Sequence, residues 1–482
     1  MFFTRNCSCF FLASITTLTL MAFVFCYIYD SSQFSYSQPI QSINDSSTFD
    51  INSISDNERD SVYPQTESSG NNVYVTWQDN LFGLNRLNYD ILLKTSSDGG
   101  KTFGEVINLS NNSGFSEHPQ MAVNGSNVHI VWADNTKLNR DIYIISSSDG
   151  GKTFGEIINL SNNTADSYNQ EISVSGNNVY ITWLDSQKNI PGNNNISFSS
   201  SSDGGKTFGD TLSLSSKATK ASFPKISSFA DNVYVGWNVD NTGQSSSIEG
   251  SQNGDNVADT NNAIQEGVYF VRSTDNGANF DEVLRINNEE EPGEIQMDSG
   301  DNNVYVLWGA PDPSTSEREY ENGSESESES ESESESQRLD PRSGDSNINF
   351  TTEDEGDGVY FVKSTDNGDS FTQPSFINEQ FQNPLNVEII NHMGELFMTI
   401  QATPMESTLG ENQDIYFMSS PDGGDTFTSA INLSNNPGIS ECPSLTVVPG
   451  SEGANGDRLF VVWQDNSPGN NEALSTSIAM PN

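Results

Sequence analysis

Residues 96–103 read SSDGGKTF, and residues 147–154 and 201–208 repeat that octapeptide letter for letter. Three looser copies follow: STDNGANF at 273–280, STDNGDSF at 364–371 and SPDGGDTF at 420–427. All six keep the first Ser, the Asp, the second Gly position and the closing Phe. The pattern is that of a turn with its own wiring. A carboxylate at the third position accepts hydrogen bonds from backbone N–H groups of its own turn, and Gly supplies positive φ. Asp98, Asp149, Asp203, Asp275, Asp366 and Asp422 are therefore read as structural. The Phe is an apolar plug that a surface turn needs only if it packs between neighbouring sheets. A turn that returns at such intervals points to a radial or stacked repeat architecture.

The segments around each turn read as strands. Before the octapeptides lie short runs such as DILLKT at 90–95, DIYII at 141–145, GVYFV at 267–271 and 358–362, and DIYFM at 414–418, with a weaker one at 195–200. After them come EVINL at 105–109 and SAINL at 429–433. A second signature ends in Trp: NNVYVTW at 71–77, SNVHIVW at 126–132, NNVYITW at 177–183, DNVYVGW at 231–237, NNVYVLW at 302–308 and DRLFVVW at 457–463, with ELFMTI at 395–400 as a degenerate copy. Period-two alternation with β-branched and aromatic residues marks each as a strand. The tryptophans read as core between sheets, since Val73, Val75 and Trp77 share one side. One more short run, such as PQMAV at 119–123, precedes each signature. Four strands per repeat is a β-propeller blade, so the fold class is all-β.

The octapeptide resembles the Asp box, or BNR repeat, of sialidases, and the resemblance covers the chain from about residue 44 to its end. That resemblance implies a β-propeller with each box in the turn between the third and fourth strands of a blade. It implies nothing about catalysis, because proteins without activity carry the same box. There are seven Trp-type strands but six boxes, and the unit beginning near Cys442 lacks a fourth strand after residues 472–479. FDINSIS at 49–55 resembles the strands that follow the boxes, yet precedes the first blade. Letting it complete the last blade closes the ring and removes open edges. Seven blades over residues 49–482 is the preferred closure and six the alternative, with insertions at about 240–264 and about 309–356. The second insertion holds a strict Ser-Glu alternation at 324–336, which cannot bury apolar surface and is expected to be disordered. It reads as a solvated loop or as a segment for cation capture or phosphorylation. By the family's geometry both insertions open on the face opposite the boxes, where sialidases bind substrate.

The N-terminus belongs to a different solvent. After Arg5, residues 9–29 carry no charge and are apolar, and Asp30 ends the stretch. Roughly twenty such residues cross a bilayer as a helix. The bulky AFVFC at 22–26 offers no small-x-small cleavage site, so residues 1–29 are expected to stay as a signal anchor, with a cleaved signal peptide and a secreted product as the alternative. Arg5 then faces the cytoplasm, residues 30–48 form a polar stalk, and the propeller lies outside the cell. Cys442 is alone in the propeller and is expected to be a buried small apolar side chain. Ten Asn-x-Ser/Thr sequons, at Asn44, Asn108, Asn111, Asn124, Asn159, Asn162, Asn195, Asn322, Asn349 and Asn432, fit either glycosylation or repeat chemistry.

A net charge of −47 excludes a nucleic-acid partner. The resemblance would require three arginines to clamp a substrate carboxylate, a Tyr nucleophile with its Glu partner, and an acidic acid/base. Arg59, Arg86 and Arg140 are the candidates for such a clamp, but the family's Arg-Ile-Pro signature is absent and no spacing singles out a Tyr–Glu pair. Arg272 and Arg285 fall in strands beside a box, and Arg458 in a turn on the box face. His118, His129 and His392 are too scattered for zinc or a Ser-His-Asp triad. An acid recurs after the strand-ending Trp, at Asp79, Asp134, Asp185 and Asp465 and, one place later, Asp240. It reads either as an acidic ring for Ca²⁺, an amine or a sugar, or as carboxylates capping their own turns. The sequence thus points to a monomeric, exported, membrane-anchored module that binds a cell-surface glycan or protein without hydrolysing it. A sialidase-like glycoside hydrolase is the alternative.

Overall fold

The computed structural model describes residues 49–55, 59–80, 88–137, 139–187, 194–215, 220–239, 266–287, 292–310, 358–377, 381–404, 413–450 and 456–480. The anchor at 1–29, the stalk at 30–48, the Ser-Glu run and nearly all of both insertions lie outside the described residues. Among the described residues no helix is long and apolar enough to cross a membrane.

The strands assemble into seven antiparallel sheets of four strands each. Blades 1 to 6 take their strands consecutively from the chain, with inner strands Ser61–Ser69, Ser116–Asn124, Asp166–Ser175, Ala221–Phe229, Ile295–Gly300 and Phe381–His392. Blade 7 has Ser440–Val448, Arg458–Asp465 and Glu472–Ala479, and its outer strand is Asn52–Ser53 from the other end of the chain. Asn52 pairs with Ser475 and Ser53 with Leu474. Ile54 N–H donates to the Ala473 carbonyl at 2.8 Å, and Thr476 Oγ1 to the Asp50 carbonyl at 3.2 Å. The ring is therefore seven-bladed and closed by the N-terminal segment, as the missing fourth strand requires.

Each junction between blades holds one apolar cluster, seven in all among the described residues. Trp77, for example, packs with Ile54, Val448, Phe460 and Val462 where blade 7 meets blade 1. Trp77, Trp132, Trp183, Trp308 and Trp463 are fully buried, which makes them core and not a sugar platform. The boxes lock the same junctions. Ser96 Oγ donates to Asp98 Oδ1 at 2.8 Å, Thr102 N–H to Oδ1 at 2.9 Å and Thr102 Oγ1 to Oδ2 at 2.7 Å. The Gly common to all six boxes lies against the preceding blade. A Cβ on Gly100 would meet Phe460 at 2.6 Å, on Gly277 Phe198 at 2.7 Å, and on Gly368 Phe270 at 2.8 Å. The box Phe docks on the same ring, with centroid distances of 6.0 Å for Phe103–Phe460, 5.0 Å for Phe280–Phe198 and 4.9 Å for Phe371–Phe270. Blade 7 has no box, and His392 of blade 6 reaches Asp457 of blade 7 at 3.0 Å.

Candidate functional site

The seven inner strands pack side by side around the axis and so line a central channel. Six of them break their register at the same level, with irregularities between Val62 and Gln65, Glu117 and Gln120, Tyr168 and Glu171, Ser222 and Lys225, Leu385 and Glu388, and Glu441 and Ser444, and the blade 6 strand breaks a second time between Gln382 and Leu385. The bulged residues take positive φ: Tyr63, His118, Asn169, Phe223, Asn386 and Cys442. Pro64, Pro119, Pro224 and Pro443 follow four of them, at a point where no ladder donor is needed. A side-chain amide from the neighbouring blade satisfies the bulge: the N–H groups of Tyr63, His118 and Cys442 donate to Gln464, Gln78 and Gln401 at 3.2, 3.0 and 3.1 Å.

Alternation from the bulge sorts the channel wall into three tiers. The outermost, on the side of the second-to-third-strand loops, holds the bulged residues together with Glu294 of blade 5, and Asn169 and Glu294 there are exposed. Two residues further in stand Gln65, Gln120, Glu171, Lys225, Gln296, Glu388 and Ser444. Two further again are Glu67, Ala122, Ser173, Ser227, Asp298, Ile390 and Thr446.

Charge is concentrated on one arc of this wall. Lys225 Nζ lies 2.6 Å from Glu171 Oε1 and 3.2 Å from Glu294 Oε1, joining blades 3, 4 and 5. Burial works against its charge, but Glu171, Glu294 and Glu388 more than offset that and hold the ammonium above the ordinary lysine range. Burial raises the Glu388 carboxyl to about 8, despite Lys225 nearby, and repulsion from Glu171, Glu294 and Asp298 adds to the rise. Burial likewise raises Glu67 to about 8, with Asp298 and Glu388 acting on it from the far side of the channel. Asp298 rises to about 6 through burial, held back by hydrogen bonds from Asn391 and Ser299 N–H and Ser227 Oγ. Glu67, Glu171 and Glu388 keep some accessible surface because they face the channel, while the surrounding blades supply the low-dielectric setting that raises all three carboxyls.

The sequence-selected residues lie elsewhere. Asp79, Asp134, Asp185 and Asp465 sit inside their blades. Each accepts the indole N–H of its own strand's Trp, at 3.2, 3.4, 3.0 and 3.1 Å. Each also accepts a hydroxyl from the inner strand, from Ser61, Ser116, Ser167 and Ser440, at 2.6–2.9 Å. Arg59 lies 3.6 Å from Asp79, and Arg140 lies 3.6 Å from Glu117 and stacks over Tyr168 at 5.8 Å. Arg86 and Asp240 lie outside the described residues. Beside Arg140, His118 packs on Tyr63 at 4.3 Å, and burial followed by the Arg140 charge lowers its imidazole to about 4. Arg272 bridges blades 4 and 5 through Asp281 and Asp369. Arg458 is a correction: it opens a strand and donates to the Gly99 carbonyl at 3.0 Å, tying blade 7 to the first box. Cys442 is another, because it is a partly accessible residue of the channel mouth at φ 51° instead of a core side chain. Among the described residues no group of three or more His, Cys, Asp or Glu is arranged to hold a metal ion.

The channel carboxylates carried one overlooked signal. Gln65, Gln120, Glu171, Lys225, Gln296 and Glu388 all stand twelve residues before the Trp, or Ile400, of the next strand. A polar residue at that fixed offset marks an inward-facing tier.

No protein-family model matches the chain, and no curated protein matches it. Among solved structures it is similar to a Trypanosoma rangeli sialidase mutant displaying trans-sialidase activity, at 10% identity over 87% of this chain and 54% of the other, TM-score 0.45. A protein of unknown function from Dyadobacter fermentans DSM 18053 shares 12% identity over 89% of this chain and 99% of its own, TM-score 0.45. Hadza microbial sialidase Hz136 shares 10% identity over 85% and 76%, TM-score 0.43. The chain spans about half the length of the trypanosomal sialidase.

Proposed function

We propose that this chain is an exported, membrane-anchored propeller that binds a ligand at the mouth of its central channel and does not hydrolyse it. The observation that carries the reading is the arc of Glu171, Glu294 and Glu388 around Lys225, a cation already held by 2.6 and 3.2 Å contacts. The wall around it is carboxylate, amide and aromatic. Such a lining attracts a cation, a basic protein patch or a hydroxyl-rich glycan and repels an anionic sugar. Arg59 and Arg140 are engaged by Asp79 and Glu117, which speaks against an open clamp for a substrate carboxylate.

One observation favours the hydrolase alternative. Glu388, raised to about 8, shares a tier with Glu171, and a carboxyl that keeps its proton near neutral pH suits a general acid beside a second carboxylate. Turnover of an aryl sialoside and of neutral aryl glycosides by the full-length protein decides between them. No turnover above buffer is expected. Turnover that disappears in Glu388→Gln or Arg140→Ala would overturn the binding reading.

A further inference from the structure

Lys225 shows how this channel treats an ammonium: two carboxylates close on it, and the residue is 8% exposed. The same wall carries equivalent groups that no cation among the described residues contacts. Glu388 makes no hydrogen bond with a described residue, and it senses Lys225 only through space. Glu67 of blade 1 faces Asp298 of blade 5 and Glu388 of blade 6 closely enough for their charges to act on it. Gln296 is 8% exposed and lies on the same side of its strand as Glu294 and Asp298. Its amide has no hydrogen-bond partner among the described residues. That amide is not among the fully enclosed unpartnered polar atoms, so it reaches accessible surface, where a ligand N–H can take the place of solvent. At the mouth, Tyr63 and Phe223 add aromatic rings, which favour cations.

The tiers also set a spacing. Successive tiers are two residues apart along a strand, about 6.6 Å, comparable to the span of a short carbon chain between two amines. The carboxylates occur at every level: Glu294 at the mouth, Glu171 and Glu388 in the middle, Glu67 and Asp298 innermost.

We propose that the central channel binds a linear aliphatic polyamine, its ammonium groups laid along the axis against Glu294, Glu388 and Glu67, with the Gln296 carbonyl accepting one N–H. The proposal rests on the channel being the binding site, and the glycoside assays test that reading separately. A lone metal ion fits less well, since no three-ligand metal group is present among the described residues. The ionisable groups facing the ligand are Glu67, Glu171, Lys225, Glu294, Asp298, Glu388 and, from blades 2 and 7, His118, Glu441 and Cys442. Glu67 and Glu388 hold protons up to about pH 8, so an ammonium seated against them displaces protons, and affinity rises with pH while the amines stay charged.

The test is calorimetric titration of the full-length protein with spermidine. Saturable binding is expected, tighter by about tenfold at about pH 8.5 than at about pH 6, with proton release. Glu67→Gln with Glu388→Gln should weaken it about tenfold or more and flatten the pH dependence. Glu105→Gln with Glu156→Gln replaces two exposed carboxyls outside the channel and should leave binding unchanged. Melting curves confirm that both variants fold. Absence of saturable binding, equal loss in both double variants, or equal displacement by CaCl₂ at matched charge would overturn the proposal.

Discussion

Asp134 holds four donors at once: the Trp132 indole, the Ser116 hydroxyl, the Asn112 amide at 2.7 Å and the Thr136 N–H at 2.8 Å. Replacing it with Ala strands buried donors, so Asp134→Ala should destabilise the domain by about 1–3 kcal/mol in urea unfolding. The same residue type does different work in the boxes, at the surface. Hydrogen bonds from Thr102, then Ser96, hold Asp98 down to about 2, and Asp149, Asp275 and Asp366 are also near 2. Their folded values lie below the ordinary carboxylate value, so their contribution is present above about pH 4 and is lost as pH falls toward about 2. Melting temperature should drop through that window, and the drop should be shallower in Asp98→Asn. Equal slopes in the two proteins would show that the box carboxylate is not the group titrating. The Asn-Leu-Ser repeats have a structural use as well. Asn108, Asn159 and Asn432 donate to Asp90, Asp141 and Asp414 at 2.8, 2.8 and 2.7 Å, which ties the outer strand of each blade to the strand beside it.

At the scale of elements, the box is a staple between blades. Gly277 has φ +79° and no room for a Cβ against Phe198, so Gly277→Ala should destabilise by more than about 1 kcal/mol, measured by thermal unfolding. A variant as stable as the parent would mean that the box does not fix the blade 3–4 junction. The boxes were legible in the sequence because their chemistry is local: Ser, Asp, Gly and Phe lie within eight residues and satisfy each other. The channel-facing residues of the inner strands were not. Glu171 and Lys225 sit in short runs where a charge ordinarily marks a solvated face. Their meaning comes from a bulge that the hydrophobic pattern does not announce. The same limit explains the reading of Asp79 and its equivalents. Their recurrence was visible, and the indole lies only two residues back on the same strand, but the serine that also consumes them comes from the adjacent strand, and only the folded register joins the two.

At the scale of the whole molecule, closure was legible by counting: seven Trp-type strands and six boxes leave one strand missing, and residues 52–53 supply it. Deleting residues 49–55 removes Ile54 from the blade 7–1 core and reopens an edge, so the truncated protein should lower its melting temperature and aggregate. Unchanged melting and solubility would contradict a ring that depends on this strand. The channel is a property of the closed ring alone, since Glu67 of blade 1 meets the charges of blades 5 and 6 only across the axis. That is the central claim, and stability against pH tests it most directly. Glu67 and Glu388 titrate near 8 in the folded chain, above the ordinary carboxylate value, so these two groups make the folded state hold more protons than the unfolded one from about pH 6.5, above which the buried His118 and His129 no longer oppose them, to about pH 8. The melting temperature of the wild-type protein should therefore fall as pH rises across that range. In Glu67→Gln with Glu388→Gln the slope should be largely abolished and the melting temperature at about pH 8 should be higher by about 1–3 °C. Parallel curves for the two proteins would contradict an enclosed, proton-holding channel.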